Sequence, residues 1–131
     1  MTGATHASIG AALGAVIKRP ALAFAAGTLS HIIADAVPHR DLRPRIEIPL
    51  ATAVICLVAA RCGLSSPQFW GALGAVAPDF EHGLVELGLI QPWDELFHGH
   101  LSLGDRFGGM LGTGIGQSLL LTASLLTAEG R

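Results

Sequence analysis

Charge is scarce in this chain. Only 14% of its 131 residues are Asp, Glu, Lys or Arg, and the formal net charge is −2. There is no basic tract, so the electrostatic footprint of a nucleic-acid binder is missing and no nucleic-acid partner is expected. Cysteine is scarce too. Cys56 and Cys62 are six residues apart, on different faces of a helix, and read as membrane-facing or packing residues that form neither a disulfide nor a metal pair. Basic residues are absent before Lys18, which follows the first apolar stretch; this argues against a cleaved signal peptide.

What is there is apolar. Half of the residues are hydrophobic and 17 are glycine, and the mean hydropathy is +0.54. For one domain spanning 1–131 this is the profile of a polytopic helical membrane protein. Five apolar segments follow one another. Ala4 to Ile17 is the first, at 14 residues short for a span of about 20. Ala21 to Val37 is the second, started by Pro20 and stopped by Pro38. A charged loop, His39 to Glu47, leads to the third, Ile48 to Ala60. The fourth, Pro67 to Ala77, is expected to break at Pro78-Asp79 and resume as an amphipathic piece, Phe80 to Ile90. After the polar stretch Gln91 to Arg106, the fifth, Phe107 to Ala128, is long enough to span alone. The expected fold is therefore all-α, a multi-span transmembrane bundle of about five helices, some short or broken.

The chain is organised around Ser30 to His39. His31 and Asp35 are four apart and share a helix face, with His39 one turn further on, so three potential ligands point one way. If all five segments cross, successive connections alternate sides. His6, the group at 31–39, Asp79, Glu81, His82, His98 and His100 then fall on one face, with every histidine and nine of the ten acidic residues; Glu129 is the exception. Lys and Arg divide four against four between the faces, so the positive-inside rule gives no orientation.

A charged group at the bilayer centre costs at least ~2.5 kcal/mol and so faces a cavity, a partner or an ion. A divalent metal meets that cost by pairing with carboxylates and taking imidazole lone pairs. The His/Asp/Glu set suits zinc first, with manganese and iron as alternatives. Zinc with an open position acidifies water for hydrolysis, and a carboxylate outside the shell can act as general base. Each piece also has a plain structural reading. His6 would be a partly exposed histidine at a helix start, His31 and Asp35 a buried packing pair, and Asp79 the N-cap of a helix resuming after Pro78. His98 and His100 would be a polar loop, and Trp70 and Trp93 interfacial anchors. Gly10 and Gly14, with Gly108, Gly112 and Gly116, form small-xxx-small pairs that let helices approach closely and are compatible with a homo-oligomer. Ala12 to Val16 is echoed by Ala72 to Val76, a short hint of an internal repeat.

Thr5-His6 with Gly10, His31-x-x-x-Asp35, and Gly71 to Pro78-Asp79-x-x-His82 together resemble the small membrane-bound metal-dependent hydrolases of bacteria. Those are distantly similar to zinc-dependent phospholipase C and the related single-strand nucleases. The resemblance covers most of the chain and implies His6, His31, Asp35, Asp79 and His82 as metal ligands. The chain is shorter than the usual members, and Phe97-His98-Gly99-His100 stands where a His-Thr-His-Ser element often follows.

The expectation is an integral protein of the bacterial cell membrane. It would hold a divalent metal with His6, His31, Asp35, His39, Asp79, His82, His98 and His100, and hydrolyse a phosphoester or other ester with Glu81 as base. Interfacial depth would make a lipid headgroup the partner. The alternatives are a non-enzymatic membrane metal-binding or transport protein, a structural protein whose His/Asp pairs fix packing, and a soluble hydrophobic bundle.

Overall fold

Among the described residues, proline and glycine bound five helices. The computed structural model describes residues 1–35, 43–86, 88–91, 94 and 114–130. In order these form α1 (Gly3–Ile17), α2 (Pro20–Asp35), α3 (Pro44–Cys62), α4 (Pro67–Glu86) and α5 (Gly114–Ala128), with no strand among the described residues. α1 ends where Lys18 adopts a left-handed conformation and donates its N–H to Gly14 O at 3.0 Å; Pro20 opens α2 straight after. α3 starts a turn earlier than the apolar run suggests, because Pro44 takes the first helical position and Glu47 the first turn, where a carboxylate suits the helix dipole.

The helices alternate in direction. Gly10 faces Gly71 and Gly14 faces Pro67, so α1 and α4 run antiparallel. Thr28 meets Gly74 and His31 meets Ala75, so α2 and α4 run parallel. Glu47 of α3 and Gln117 of α5 both bond the start of α1, while the ends of α3 and α5 meet where Cys62 approaches Ala128 O. The starts of α1, α3 and α5 therefore share one end of the bundle with the ends of α2 and α4. α1 lies innermost and packs against each of the other four.

Small residues allow this closeness. A Cβ at Gly10 would overlap the Gly71 carbonyl, and one at Gly71 would overlap the Gly10 carbonyl. The core is correspondingly alanine-rich: Ala4, Ala7, Ala11 and Ala72 pack with Val54 and Val58. Inside such a core the largest fully buried side chains are polar, His6, Thr5 and Ser8. Larger apolar residues lie outside, with Ile33, Ile48, Phe80, Ile115 and Leu119 each more than half exposed.

Two expectations are corrected here. Among the described residues no helix is long and apolar enough to cross a membrane. This overturns the multi-span transmembrane bundle and, with it, the integral location in the bacterial cell membrane. At 1.5 Å per residue α1, α2 and α5, of 15, 16 and 15 residues, reach only about 22–24 Å against a hydrocarbon core of ~30 Å. α3 carries Arg45, Glu47 and Arg61, and α4 carries Gln68, Asp79, Glu81, His82 and Glu86. The depth argument for a lipid headgroup falls with the spans. Of the long fifth segment, 107–113 lie outside the described residues.

The expected break at Pro78-Asp79 does not occur either: α4 runs through Pro78 to Glu86. A proline inside a helix leaves the carbonyl four residues back without its donor. Here that carbonyl belongs to Gly74, and Thr28 Oγ1 of α2 donates to it at 3.0 Å. Asp79 is thus an interior residue of α4, and its side chain is not spent on an N-cap.

Candidate metal centre

The first turn of α1 is fixed from three sides. Helix starts leave backbone N–H groups without partners. Thr2 N donates to Gln117 Oε1 at 2.8 Å, Gly3 N donates to Glu47 Oε1 at 2.8 Å, and Thr5 N donates to Thr2 Oγ1 at 3.4 Å. The Thr2 and Thr5 hydroxyls bond each other at 2.8 Å, and Ser8 Oγ donates to Thr5 O at 2.8 Å. One turn into this braced segment, His6 is 1% exposed rather than fraying at a surface.

α2 brings its polar groups to His6, and α4 brings its own to His31. Its Nε2 lies 3.0 Å from Asp35 Oδ1, and the Met1 amino nitrogen is 3.1 Å from the same oxygen. The His31 ring lies against the His6 ring with centroids 4.1 Å apart. His31 Nδ1 donates to the main-chain oxygen of Ala75 at 2.8 Å, which leaves Nε2 to face the carboxylates. Nε2 is 3.2 Å from Asp35 Oδ2 and 3.5 Å from Asp79 Oδ1. Despite those distances the directions are wrong for hydrogen bonds: His31 Nε2 is buried with no hydrogen-bond partner, as is His6 Nδ1.

The electrostatics follow from burial and proximity. Burial pushes the His6 imidazole below its usual pKa and outweighs the pull of Asp35, and the neighbouring His31 adds to the fall. Burial pushes His31 down too, but Asp35 and Asp79 outweigh it, so its pKa stands above the usual value. For Asp35 burial pushes up, and the two histidines overcome it, holding the carboxyl well below the usual carboxylate range. Two stacked imidazolium rings repel, so the pair favours one proton, on His31.

His6, His31 and Asp35 can hold a metal ion: each offers one ligand atom, and these atoms lie within 4.8 Å of one another. Two zinc–ligand bonds of about 2.0–2.1 Å at a tetrahedral angle separate the ligand atoms by roughly 3.3–3.4 Å. The observed separations of 3.0 Å for His6 to Asp35 and 3.2 Å for His31 to Asp35 fall a few tenths of an ångström short of that value. The orphaned His31 Nε2 and the mixed nitrogen and oxygen donor set fit a borderline divalent ion.

Of the expected site residues, the structure brings together His6, His31 and Asp35, with Asp79 against them; the Asp79 side chain is 38% exposed. Glu81 is two residues beyond Asp79, about 200° around α4. His82 lies on the helix without a described side chain, and His39, His98 and His100 lie outside the described residues. Glu47, Gln117, Thr28 and the Ala75 carbonyl had not been singled out as parts of this centre. Glu47 alone had a readable signal, three residues after a helix-starting proline; a carbonyl has none. No protein-family model, curated protein or solved structure matches this chain.

Proposed function

We propose that the protein holds a divalent transition metal, zinc foremost, with His6, His31 and Asp35, and hydrolyses a phosphoester or another ester beside it. The observation that carries the reading is His31. With Nδ1 committed to Ala75 O, a neutral ring turns a lone pair toward the oxygens of Asp35 and Asp79. The Met1 ammonium meets Asp35 at Oδ1, and a divalent ion beside Asp35 Oδ2 would take up the unpartnered His31 lone pair.

In this reading the Ala75 carbonyl orients His31, as a partner on the far nitrogen of a metal-binding histidine does. Asp35 supplies the negative charge between the two rings. A zinc ion there would supply Lewis acidity and bring the pKa of water toward about 7. Asp79, open to solvent on one side, is placed to take a proton from attacking water. Glu81, the carboxylate expected for that role, is the second candidate. The resemblance to metal-dependent hydrolases supports the ester class, and the donor set supports the metal.

The test is hydrolysis of bis(p-nitrophenyl) phosphate and p-nitrophenyl acetate by zinc-loaded protein. Turnover that is lost in Asp79→Asn and kept in Glu81→Gln supports this assignment; the opposite pattern moves the base to Glu81. No turnover of either compound, by protein that retains zinc, removes the hydrolase and leaves a metal-binding protein.

One observation favours a second reading. His31 Nε2 lies 3.2 Å from Asp35 Oδ2 and 3.5 Å from Asp79 Oδ1, so an imidazolium, which those carboxylates favour, can stand where the cation would and fix the packing of α1, α2 and α4. That protein would stay metal-free when incubated with zinc.

A further inference from the structure

Pro78 and the metal centre are joined through α2. Because Pro78 has no N–H, the Gly74 carbonyl has no donor within α4. Thr28 Oγ1 lies 3.0 Å from Gly74 O and 3.2 Å from Phe24 O, so its one proton is shared, with the shorter contact to α4. Three residues on along α2, His31 Nδ1 bonds Ala75 O, the next carbonyl of α4. Beside Thr28, a Cβ at Gly27 would overlap the Gly71 carbonyl and lie 2.8 Å from Ala75 N. Two consecutive carbonyls of one helix are thus held by two side chains one turn apart on the other, and one of the two is the histidine of the centre.

We infer that Thr28 is a positioning residue for the metal centre: its hydroxyl replaces the amide that Pro78 lacks, sets the register of α2 on α4, and so seats His31 Nδ1 on Ala75 O with Nε2 toward the carboxylates. The inference rests on reading His6, His31 and Asp35 as a metal centre. A threonine that only filled space between helices would be replaced without loss by valine, which has nearly its shape and no proton to give.

The experiment compares Thr28→Ser, Thr28→Val and Pro78→Ala with the wild type in two readouts. One is cobalt(II) affinity, followed by the visible bands of the bound ion. The other is the His31 tautomer of the metal-free protein, read from its ring nitrogen resonances in alkaline buffer. Thr28→Ser is expected to match the wild type. Thr28→Val is expected to bind cobalt about tenfold more weakly, the low end for partners of metal ligands, and to lose the exclusive Nδ1–H tautomer. Pro78→Ala gives Gly74 O an amide of its own helix, competes with Thr28, and is expected to weaken cobalt binding without lowering the melting temperature, a combination that a packing role does not produce.

Cobalt affinity of Thr28→Val within twofold of wild type, a weakened affinity with the tautomer intact, or unchanged affinity in Pro78→Ala each overturns the inference. Should Thr28→Val not fold, Thr28→Ser and Pro78→Ala decide. Should the wild type bind no cobalt, the metal reading fails, and the tautomer comparison still decides whether Thr28 positions His31.

Discussion

His31 donates Nδ1–H to the main-chain oxygen of Ala75 at 2.8 Å, and that single bond decides what the rest of the ring can do. It fixes the tautomer of the neutral imidazole and presents Nε2 to Asp35 and Asp79. Proton and metal then compete for one nitrogen.

That competition gives a pH dependence whose sign can be worked out. The folded pKa of His31 stands above its ordinary 6.5, so its contribution to metal-free stability is complete below 6.5 and is lost as pH rises through the raised value. Asp35 lies below its ordinary 3.8, so its contribution is present above 3.8 and is lost on further acidification. His6, whose pKa is lowered, opposes His31 by disfavouring the fold as pH falls through 6.5. Against an otherwise identical His31→Asn protein, the metal-free wild type should lose relative stability as pH rises from 6.5. Zinc affinity should rise over the same range as the proton leaves. Denaturant melts and zinc titrations at several pH values check both.

Glycine substitutions should split sharply by position. Gly10→Ala drives a methyl into the Gly71 carbonyl, and backbone cannot step aside as a side chain can, so a loss of about 2 kcal/mol or more is expected. At Gly83 nothing lies within 4 Å of a built Cβ, and alanine in a helix interior should stabilise by about 0.5–1 kcal/mol. Urea unfolding of the two variants measures the contrast.

Gln117 braces the centre from α5, accepting the Thr2 N–H at 2.8 Å while 5% exposed. Gln117→Leu leaves that amide buried without this partner, at a cost of about 1–3 kcal/mol. Since His6 sits one turn along, zinc affinity should fall with it. Calorimetric melting and zinc titration of the variant report the two effects separately.

At the opposite end of the bundle, Arg61 and Glu129 pair at 3.0 Å with the Arg61 side chain half exposed. Arg61→Ala should change stability by no more than about 1 kcal/mol, as solvent screens such a pair, and should leave metal binding untouched. It serves as the control for the variants above.

How much of this the sequence disclosed depends on the kind of signal. The i, i+4 spacing of His31 and Asp35 survives folding, because a helix preserves it. The alternation of five segments also holds, which is why His6 and Asp79, distant in sequence, arrive at the same end of the bundle while Glu129 does not. Hydropathy misled because glycine and alanine fill the core and leave Ile48, Phe80 and Ile115 outside; the apolar content was real, but among the described residues it does not lie in helices long and apolar enough to span. Pro78 misled because its effect depends on Thr28, a donor fifty residues earlier in the chain. Gln117 acts on the backbone of α1 across the bundle with no local pattern to announce it, and the proline before Glu47 marks a helix start but not the bond to Gly3 N. The Ala75 carbonyl has no side-chain identity to read at all.

The proposed chemistry turns on whether His6, His31 and Asp35 hold a metal ion. Elemental mass spectrometry of purified protein, wild type beside the His31→Ala/Asp35→Ala double variant and each exposed to zinc and then dialysed, tests it most directly. Near-stoichiometric zinc is expected in the wild type, with its loss from a double variant that circular dichroism shows to be still helical. Wild-type protein that retains no more metal than the double variant would rule out the metal centre and leave the buried histidines as a proton-linked packing pair.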